Sequence, residues 1–410
     1  MPIVRTLSAV LLGFAVPGMA QNAGAEPLTA SKAFREASAA VGARLAEGDV
    51  AGANASLSAL QPASPGEKYM AGSLALEVAS RRGDMRAQRA AVKAMLASGA
   101  APAQQTGYLR YLAGYFSAQI GEGTEAAAHL QAARQLGYDT PPANLLLADL
   151  EMRRHRPAEA LAMLDAAIAR QTAAGMKVPV AWFERGTSMA YTLKNWPLVA
   201  SYSARRLAAP STPADWRSAI VNYISGAAPQ GEAQLDLYRL QYATDAMASE
   251  RDFQAYAALA LAQGYASEAR MAIEAGRSKG TLLTSDAAIN PLFAKASVKA
   301  KTNLAEMQKL SGKSASAASA AAASAAGDRL LSGGQYGEAV GYYRAALAKA
   351  GVDRDRVSAR LGIALARSGD LAGAQSAFAL VTGPWRDVAA FWSSWATNRS
   401  AASPTAPSGN

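Results

Sequence analysis

A short segment in the C-terminal half of the chain has residues that bind phosphate in other proteins. Gly312, Lys313 and Ser314 have the order of the last three residues of a phosphate-binding loop. That motif also needs a glycine five residues before Gly312 and a β-strand leading into the loop. Met307 stands at the glycine position, within a helical pattern. The sequence therefore does not support a nucleotide site, and we expect no cofactor.

The sequence contains few residues that could bind a metal ion or act as a catalytic nucleophile. It has two histidines, His129 and His155, and no cysteine. Structural and catalytic metal sites need several His, Cys, Asp or Glu side chains at suitable spacing. We therefore predict no metal site and expect both histidines to be solvated. A Gly-X-Ser-X-Gly elbow is also absent, so we predict no catalytic residue and a protein that is not an enzyme.

Three tyrosines share one face of a predicted helix. Tyr108, Tyr111 and Tyr115 follow the spacing i, i+3 and i+7, which places side chains on the same side of an α-helix. Tyrosine gives a large contact area with a polar tip, so this face could anchor a ligand. Alternatively, the face packs against a neighbouring element of the protein.

The elements that position these residues are repeated helix pairs. Gly327 and Gly362 are 35 residues apart (362 − 327 = 35), and Gly334 is repeated at the same interval as Gly369. A glycine just past a helix end stops the helix, so Gly334 marks the turn between two helices. We expect Gly327 to be small because the two helices cross closely there, and Tyr343 to fill the space between them.

This pattern resembles the tetratricopeptide repeat, a helix–turn–helix unit of about 34 residues. The family's small residue, turn glycine, alanine and aromatic are matched by Gly327, Gly334, Ala339 and Tyr343. The family's tryptophan and proline are missing from both C-terminal copies, so these copies are degenerate. The resemblance implies an all-α fold, an α-solenoid of antiparallel helix pairs that forms a superhelix.

Fainter copies of the pattern extend back along the chain. We predict seven helix pairs within residues 26–275, and a C-terminal array of two pairs with a capping helix in residues 319–397. Segment 276–318 is predicted to be a connector, a basic amphipathic helix at 292–310 and an Ala/Ser-rich stretch. That stretch is either a linker passing into helix near Ala320 or the first helix of the eighth pair, and we favour the linker.

Both ends of the chain are predicted to lie outside the repeats. Residues 1–25 read as a signal peptide, with Arg5 before a short apolar run and cleavage after Ala20 or Ala25. We therefore expect a periplasmic protein, with secretion as the second choice, and no transmembrane anchor after cleavage. Residues 398–410 are rich in Ser, Pro, Ala and Gly, and we predict a disordered tail.

The charge does not point to nucleic acid. The net charge is +10, and removing the leader with Arg5 leaves 40 − 31 = +9. Such an excess could favour anionic partners. However, basic residues such as Arg81 and Arg82 come at predicted helix ends, where cations suit the helix dipole. An exported chain without blocks of like charge is not expected to bind nucleic acid.

The resemblance also implies a binding surface. In the repeat family, one face of the first helix of each pair lines a concave groove that holds peptides or protein segments. The corresponding residues here are Tyr108, Tyr111, Tyr115 and Gln119 in the third pair, Asp149 and Arg153 in the fourth, and Phe183, Thr187 and Tyr191 in the fifth. Because Asp149 replaces a residue of the family's carboxylate clamp, no C-terminal-peptide ligand is implied.

Three classes of function remain open. The first is a periplasmic scaffold or adaptor that binds a protein or peptide and supports assembly of an envelope or secretion complex. The second is a factor in polysaccharide synthesis or export that binds a polymer, for which carboxylates beside the aromatic side chains would be expected. The third is an enzyme with a hidden active site, although no compact domain outside the repeats is visible.

Overall fold

The computed structural model describes residues 29–310 and 319–402, and all regular secondary structure in this part of the chain is α-helical. The helices are α1 (Lys32–Ala46), α2 (Val50–Ser58), α3 (Pro65–Arg82), α4 (Met85–Ala97), α5 (Ala103–Gln119), α6 (Gly123–Gln135), α7 (Pro141–Arg153), α8 (Pro157–Ala173), α9 (Val180–Thr192), α10 (Trp196–Leu207), α11 (Pro213–Ala227), α12 (Gly231–Ala243), α13 (Glu250–Ala262), α14 (Ala266–Ser278), α15 (Ile289–Leu310), α16 (Ala320–Ser332), α17 (Tyr336–Leu347), α18 (Arg354–Ser368), α19 (Leu371–Phe378) and α20 (Arg386–Ala402). The predicted all-α class is confirmed.

Consecutive helices pack as pairs, in an α-solenoid arrangement. The tightest partners include α3 with α4, α5 with α6, α7 with α8 and α16 with α17. Turn glycines such as Gly334 and Gly369 have positive φ values of 78° and 100°. L-residues with a side chain rarely adopt this conformation, so glycine ends the first helix of these pairs as predicted.

The small residues lie where two helices of a pair cross. A Cβ added at Gly327 would come within 2.7 Å of the Tyr343 ring, and one added at Gly362 within 2.3 Å of the Phe378 ring. Tyr343 is fully buried, and Ala339 is also inaccessible. The aromatic ring therefore occupies the volume that the glycine leaves free, as the spacing in the sequence predicts.

The chain divides into two compact units. Unit 1 covers residues 1–178 and contains α1–α8. Its hydrophobic core runs through the pairs, with one cluster centred on α1–α3 and a larger one extending from α3 to α7. The boundary between the units, after Val178, falls within the predicted N-terminal array of residues 26–275.

Unit 2 covers residues 179–410 and contains α9–α20. Within it, α20 packs against α18 and α19, as a capping helix would, and also against α10 and α12. The indole Nε1 of Trp392 donates to the carbonyl oxygen of Asp236 in α12 at 2.9 Å. The C-terminal helix pairs therefore belong to the same unit as α9–α15.

Several predicted boundaries can be compared with the structure. The predicted basic helix at 292–310 is α15, and helix resumes at Ala320 as expected. The predicted disordered tail began at Asn398, but α20 continues to Ala402, and the Asn398 side chain donates to the carbonyl oxygen of Ala209 at 2.8 Å. That part of the tail prediction is wrong because the amide anchors the helix end.

Three predicted features lie outside the described residues. They are the signal peptide at 1–25, the Gly312–Ser314 segment within the Ala/Ser-rich stretch, and the part of the tail beyond residue 402. Among the helices that the structure does describe, none combines the length and the apolar character needed to cross a bilayer.

Candidate functional site

The predicted tyrosine face lies on α5 in unit 1. Tyr111 is buried, with 9% of its surface exposed, whereas Tyr108 and Tyr115 are half-buried against the core. The rings of Tyr108 and Tyr111 are 6.3 Å apart, and those of Tyr111 and Tyr115 are 6.4 Å apart. The three residues thus form one continuous row, of which the two ends remain accessible.

A fourth tyrosine joins this row from the turn between α6 and α7. The ring of Tyr138 lies 5.5 Å from that of Tyr108 and 5.2 Å from that of Tyr111. The sequence pattern of α5 gives no indication of it, because Tyr138 belongs to a loop. The one feature of the sequence that could have indicated its place is that it directly follows Gly137. This glycine lies in the turn and has a φ of 83°. Tyr138 covers Tyr111 and explains why that residue is buried.

These phenols are protonated at neutral pH, as tyrosines ordinarily are, and burial moves their pKa values further from neutrality. Removal from water raises the pKa of Tyr108 and of Tyr111 to about 12, with smaller contributions from the neighbouring tyrosines. Burial also raises the pKa of Tyr138. Neutral hydroxyl groups both donate and accept hydrogen bonds, so the row presents an aromatic surface with uncharged polar tips.

The other predicted groove residues are divided between the units. Gln119 at the end of α5 and Arg153 at the end of α7 are exposed in unit 1, and Asp149 is half-buried on α7. Phe183, Thr187 and Tyr191 lie on α9 in unit 2. The nine residues therefore form two sets, one in each unit.

The unit 2 set is engaged in local contacts. The guanidinium of Arg205 lies 4.7 Å from the centre of the Phe183 ring, and the Thr187 hydroxyl donates to the Phe183 carbonyl oxygen at 3.0 Å. Tyr191 is 48% exposed and meets Trp196 edge-on at 5.2 Å. Of these three side chains, Tyr191 offers the most surface to a partner.

A groove that the sequence did not indicate lies between α1 and α3 in unit 1. Its volume is about 470 Å³, which falls in the range of ligand sites. The floor is mainly apolar and is formed by Ala39, Leu45, Tyr69, Met70 and Leu74. These two helices are the first members of adjacent pairs.

Gly42 on α1 leaves this groove open, and charged side chains contribute to its lining. A Cβ built on Gly42 meets no atom within 4 Å, so the glycine faces empty space. Ser38 is buried, and its hydroxyl oxygen has no hydrogen-bond partner among the described residues. Arg35 and the weak Glu77–Arg81 ion pair (3.8 Å) add charge to the lining. The groove thus combines an apolar floor with charged side chains in its lining.

A single carboxylate fixes the two helices that form the groove. Glu67 on α3 accepts backbone N–H groups from Ser31, at the start of α1, at 2.9 Å and from Ala63 and Ser64 at 2.8 and 3.1 Å. These bonds, led by that from Ser31, lower the pKa of Glu67 to about 2. The ionised carboxylate therefore holds the beginning of α1 against the beginning of α3.

The two histidines differ from each other. His155 is exposed, but His129 on α6 is buried, so the expectation that both are solvated is wrong for His129. Burial lowers the pKa of His129, and the positive charges of Arg110, Lys93 and Arg89 lower it further. In residues 29–310 and 319–402, no group of three or more His, Cys, Asp or Glu side chains is placed to hold a metal ion.

Comparison with known proteins adds no assignment to this geometry. No protein-family model matches the chain. A search of curated proteins also found no match. The open groove between α1 and α3 and the row of tyrosines on α5 therefore have to be interpreted from their own chemistry.

Proposed function

We propose that this protein is a periplasmic helical-repeat adaptor of the tetratricopeptide type that binds an extended peptide or protein segment, and that it acts by binding rather than by catalysis. The observation that carries the proposal is the groove between α1 and α3. It lies between the first helices of adjacent pairs and is left open at Gly42.

The chemistry of the groove suits a polypeptide with small or apolar side chains. Met70 and Leu74 offer apolar contact, which provides affinity through the hydrophobic effect. Arg35 and Arg81 also line the groove, and their guanidinium groups can donate to the backbone carbonyl oxygens of a bound segment. A protein partner could continue to Tyr108 and Tyr115, the half-buried tyrosines of α5, which lie in the same unit.

A photo-crosslinking experiment in the native host tests this proposal. A benzophenone amino acid placed at Ala39 would report on the groove, because Ala39 is exposed and lines it. The same amino acid at Ala40, which is exposed on α1 but does not line the groove, is the matched control. We expect a discrete polypeptide adduct from position 39 and none from position 40.

Filling the groove provides a second, independent control. Phenylalanine at Gly42 would extend into open space, and replacing a helical glycine removes a conformational-entropy cost, so Gly42→Phe should fold. Gly341→Phe makes the same change at an exposed helical glycine of α17 that also has open space around it. The adduct should disappear with Gly42→Phe and persist with Gly341→Phe. Equal crosslinking at positions 39 and 40, or adducts insensitive to Gly42→Phe, would reject the groove.

The same experiment separates the polymer-binding alternative. A glycan adduct at Ala39 in place of a polypeptide would favour a protein that accompanies polysaccharide synthesis or export. In that case, the half-buried tyrosines of α5 would be tested next, using Tyr115→Ala. Tyr111 is a poor choice because its ring is buried, and its removal would also affect packing.

A further inference from the structure

Unit 2 contains a second cavity, separate from the groove of unit 1. Its volume is about 440 Å³. Its walls come from α12–α18 and α20, so it lies inside this unit alone. The volume is sufficient for a small molecule and places the cavity in the range typical of ligand sites.

The floor of the cavity is polar and tightly organised. Arg239 donates Nε and Nη2 to the two carboxylate oxygens of Glu268 at 2.7 and 2.6 Å, and Nη1 to Asp236 at 2.5 Å. The Tyr256 hydroxyl donates to the same Glu268 at 2.7 Å. A guanidinium has five N–H groups, so these three bonds leave Arg239 with further donors. Glu268 itself is fully engaged.

The remaining charged groups of the lining have an excess of cations. Arg270 is paired with Glu274 at 3.3 Å. Lys301 on α15 and Arg367 on α18 form no ion pair with a carboxylate of residues 29–310 or 319–402. Arg367 lies 4.7 Å from the centre of the Tyr336 ring, which holds its guanidinium in place. Arg239 and Arg270 are thus paired with carboxylates, whereas Lys301 and Arg367 are cations of the lining that have no carboxylate partner among the described residues.

We propose that this cavity binds a small molecule with two or more anionic oxygen atoms, such as a dicarboxylate or a phosphate compound. Lys301 and Arg367 bind the anionic groups, and the spare N–H donors of Arg239 lie at the base of the site. An anion supplies the negatively charged oxygen atoms that Lys301 and Arg367 lack as partners. It also gains from partial removal from water, since charged hydrogen bonds are stronger in a site of low dielectric constant. The site is additional to the proposed polypeptide groove.

Isothermal titration calorimetry of the intact chain with two probes, citrate and inorganic pyrophosphate, tests the proposal at fixed ionic strength. Saturable binding of one probe is expected, and the probe that binds more tightly distinguishes a carboxylate site from a phosphate site. Trp392 lines the cavity, so a change in tryptophan fluorescence should accompany binding. Absence of saturable binding for both probes would overturn the proposal.

Single substitutions locate the binding to this cavity. We expect Lys301→Gln to weaken binding about tenfold, because a hydrogen bond to a charged group contributes about 1.5–3 kcal/mol and 1.4 kcal/mol is tenfold. Lys301 is exposed, so this variant should fold. Arg367→Gln should weaken binding at least as much. Lys299→Gln removes a charge from the exposed side of the same helix, outside the cavity, and should leave the affinity unchanged within about twofold. Equal weakening by Lys299→Gln and Lys301→Gln would refute the site and indicate a general charge effect.

Discussion

Replacing Arg360 tests whether buried ion pairs hold unit 2 together. Arg360 on α18 is completely inaccessible. Its Nη1 donates to Asp328 at 2.7 Å and to Glu232 at 3.0 Å, and its Nε donates to Asp236 at 3.1 Å. Glu232 and Asp236 lie on α12, more than a hundred residues earlier in the chain. Arg360→Gln would therefore leave three carboxylates without their shared cation.

The expected loss of stability depends on which partners the three carboxylates keep when Arg360 is replaced. Removing one member of a buried ion pair typically destabilises a protein by about 3–5 kcal/mol, because the other charge stays buried. Here Glu232 keeps Arg356 at 2.5 Å, and Asp236 keeps Arg239 at 2.5 Å. The lower end of the range applies, so we expect Arg360→Gln to reduce the free energy of unfolding of unit 2 by about 3 kcal/mol.

Tryptophan fluorescence during urea unfolding is a suitable assay. All six tryptophans lie between residues 182 and 395, within unit 2, so the signal reports on that unit without a contribution from unit 1. Arg344→Gln, an exposed arginine on the neighbouring α17, is the matched control and should change stability by less than about 0.5 kcal/mol. A loss below about 1 kcal/mol for Arg360→Gln would contradict the assigned role of the network.

The pH dependence gives a second criterion. Burial alone would raise the pKa of Glu232, but the hydrogen bond from Arg356 and the charges of Arg360 and Arg356 lower it to about 2. A carboxylate with a depressed folded-state pKa stabilises the fold above its unfolded value and loses this contribution as the pH falls through the folded value. The difference between wild type and Arg360→Gln should therefore be largest near pH 7 and smaller near pH 3. A difference that grows towards pH 3 would show that the carboxylates are not involved.

Three further changes test the pairs and the groove. Glu67→Gln should destabilise unit 1 at pH 7 and less at pH 3, since the folded-state pKa of Glu67 is about 2. Thermal unfolding followed by circular dichroism measures this difference. A destabilisation that does not depend on pH would show that the Glu67 carboxylate does not stabilise the unit. Gly362→Ala should lower the free energy of unfolding by about 1–3 kcal/mol, because its Cβ would approach the Phe378 ring to 2.3 Å. Gly341→Ala should be neutral or stabilising in the same urea assay. Equal effects of the two substitutions would refute the close crossing of the helices at Gly362. Tyr343→Ala should cost about 3–5 kcal/mol in urea unfolding, and a loss near zero would mean that its ring does not fill the pair.

The helix pairs could be predicted from the sequence because they depend on local spacing. Gly334 and Gly369 lie in turns, and Gly327 and Gly362 lie where two helices cross. Neither feature depends on contacts with distant parts of the chain. The basic helix α15 also follows from its own pattern. These features depend on contacts between residues that are close along the chain. Such contacts produce a regular spacing of residue types that can be recognised in the sequence.

The candidate sites could not be predicted in the same way. Tyr138 reaches α5 from a loop, and the open space beside Gly42 depends on what neighbouring helices leave unfilled. Arginine is ordinarily a surface residue, yet Arg360 is buried, with partners on α12 that lie more than a hundred residues earlier in the chain. No local pattern encodes an approach between residues so distant in sequence.

The position of α20 determines the order in which the protein can acquire its structure during synthesis. Asn398 donates to the carbonyl oxygen of Leu207, across 191 residues of chain. All helices of unit 1 are made before residue 179 and contact near neighbours, so they can pack while the ribosome is still translating the remainder. The surface of α10 that α20 covers stays exposed until nearly two hundred further residues have been added. A nascent chain is therefore most exposed to misassembly and to chaperone binding over that interval, in unit 2.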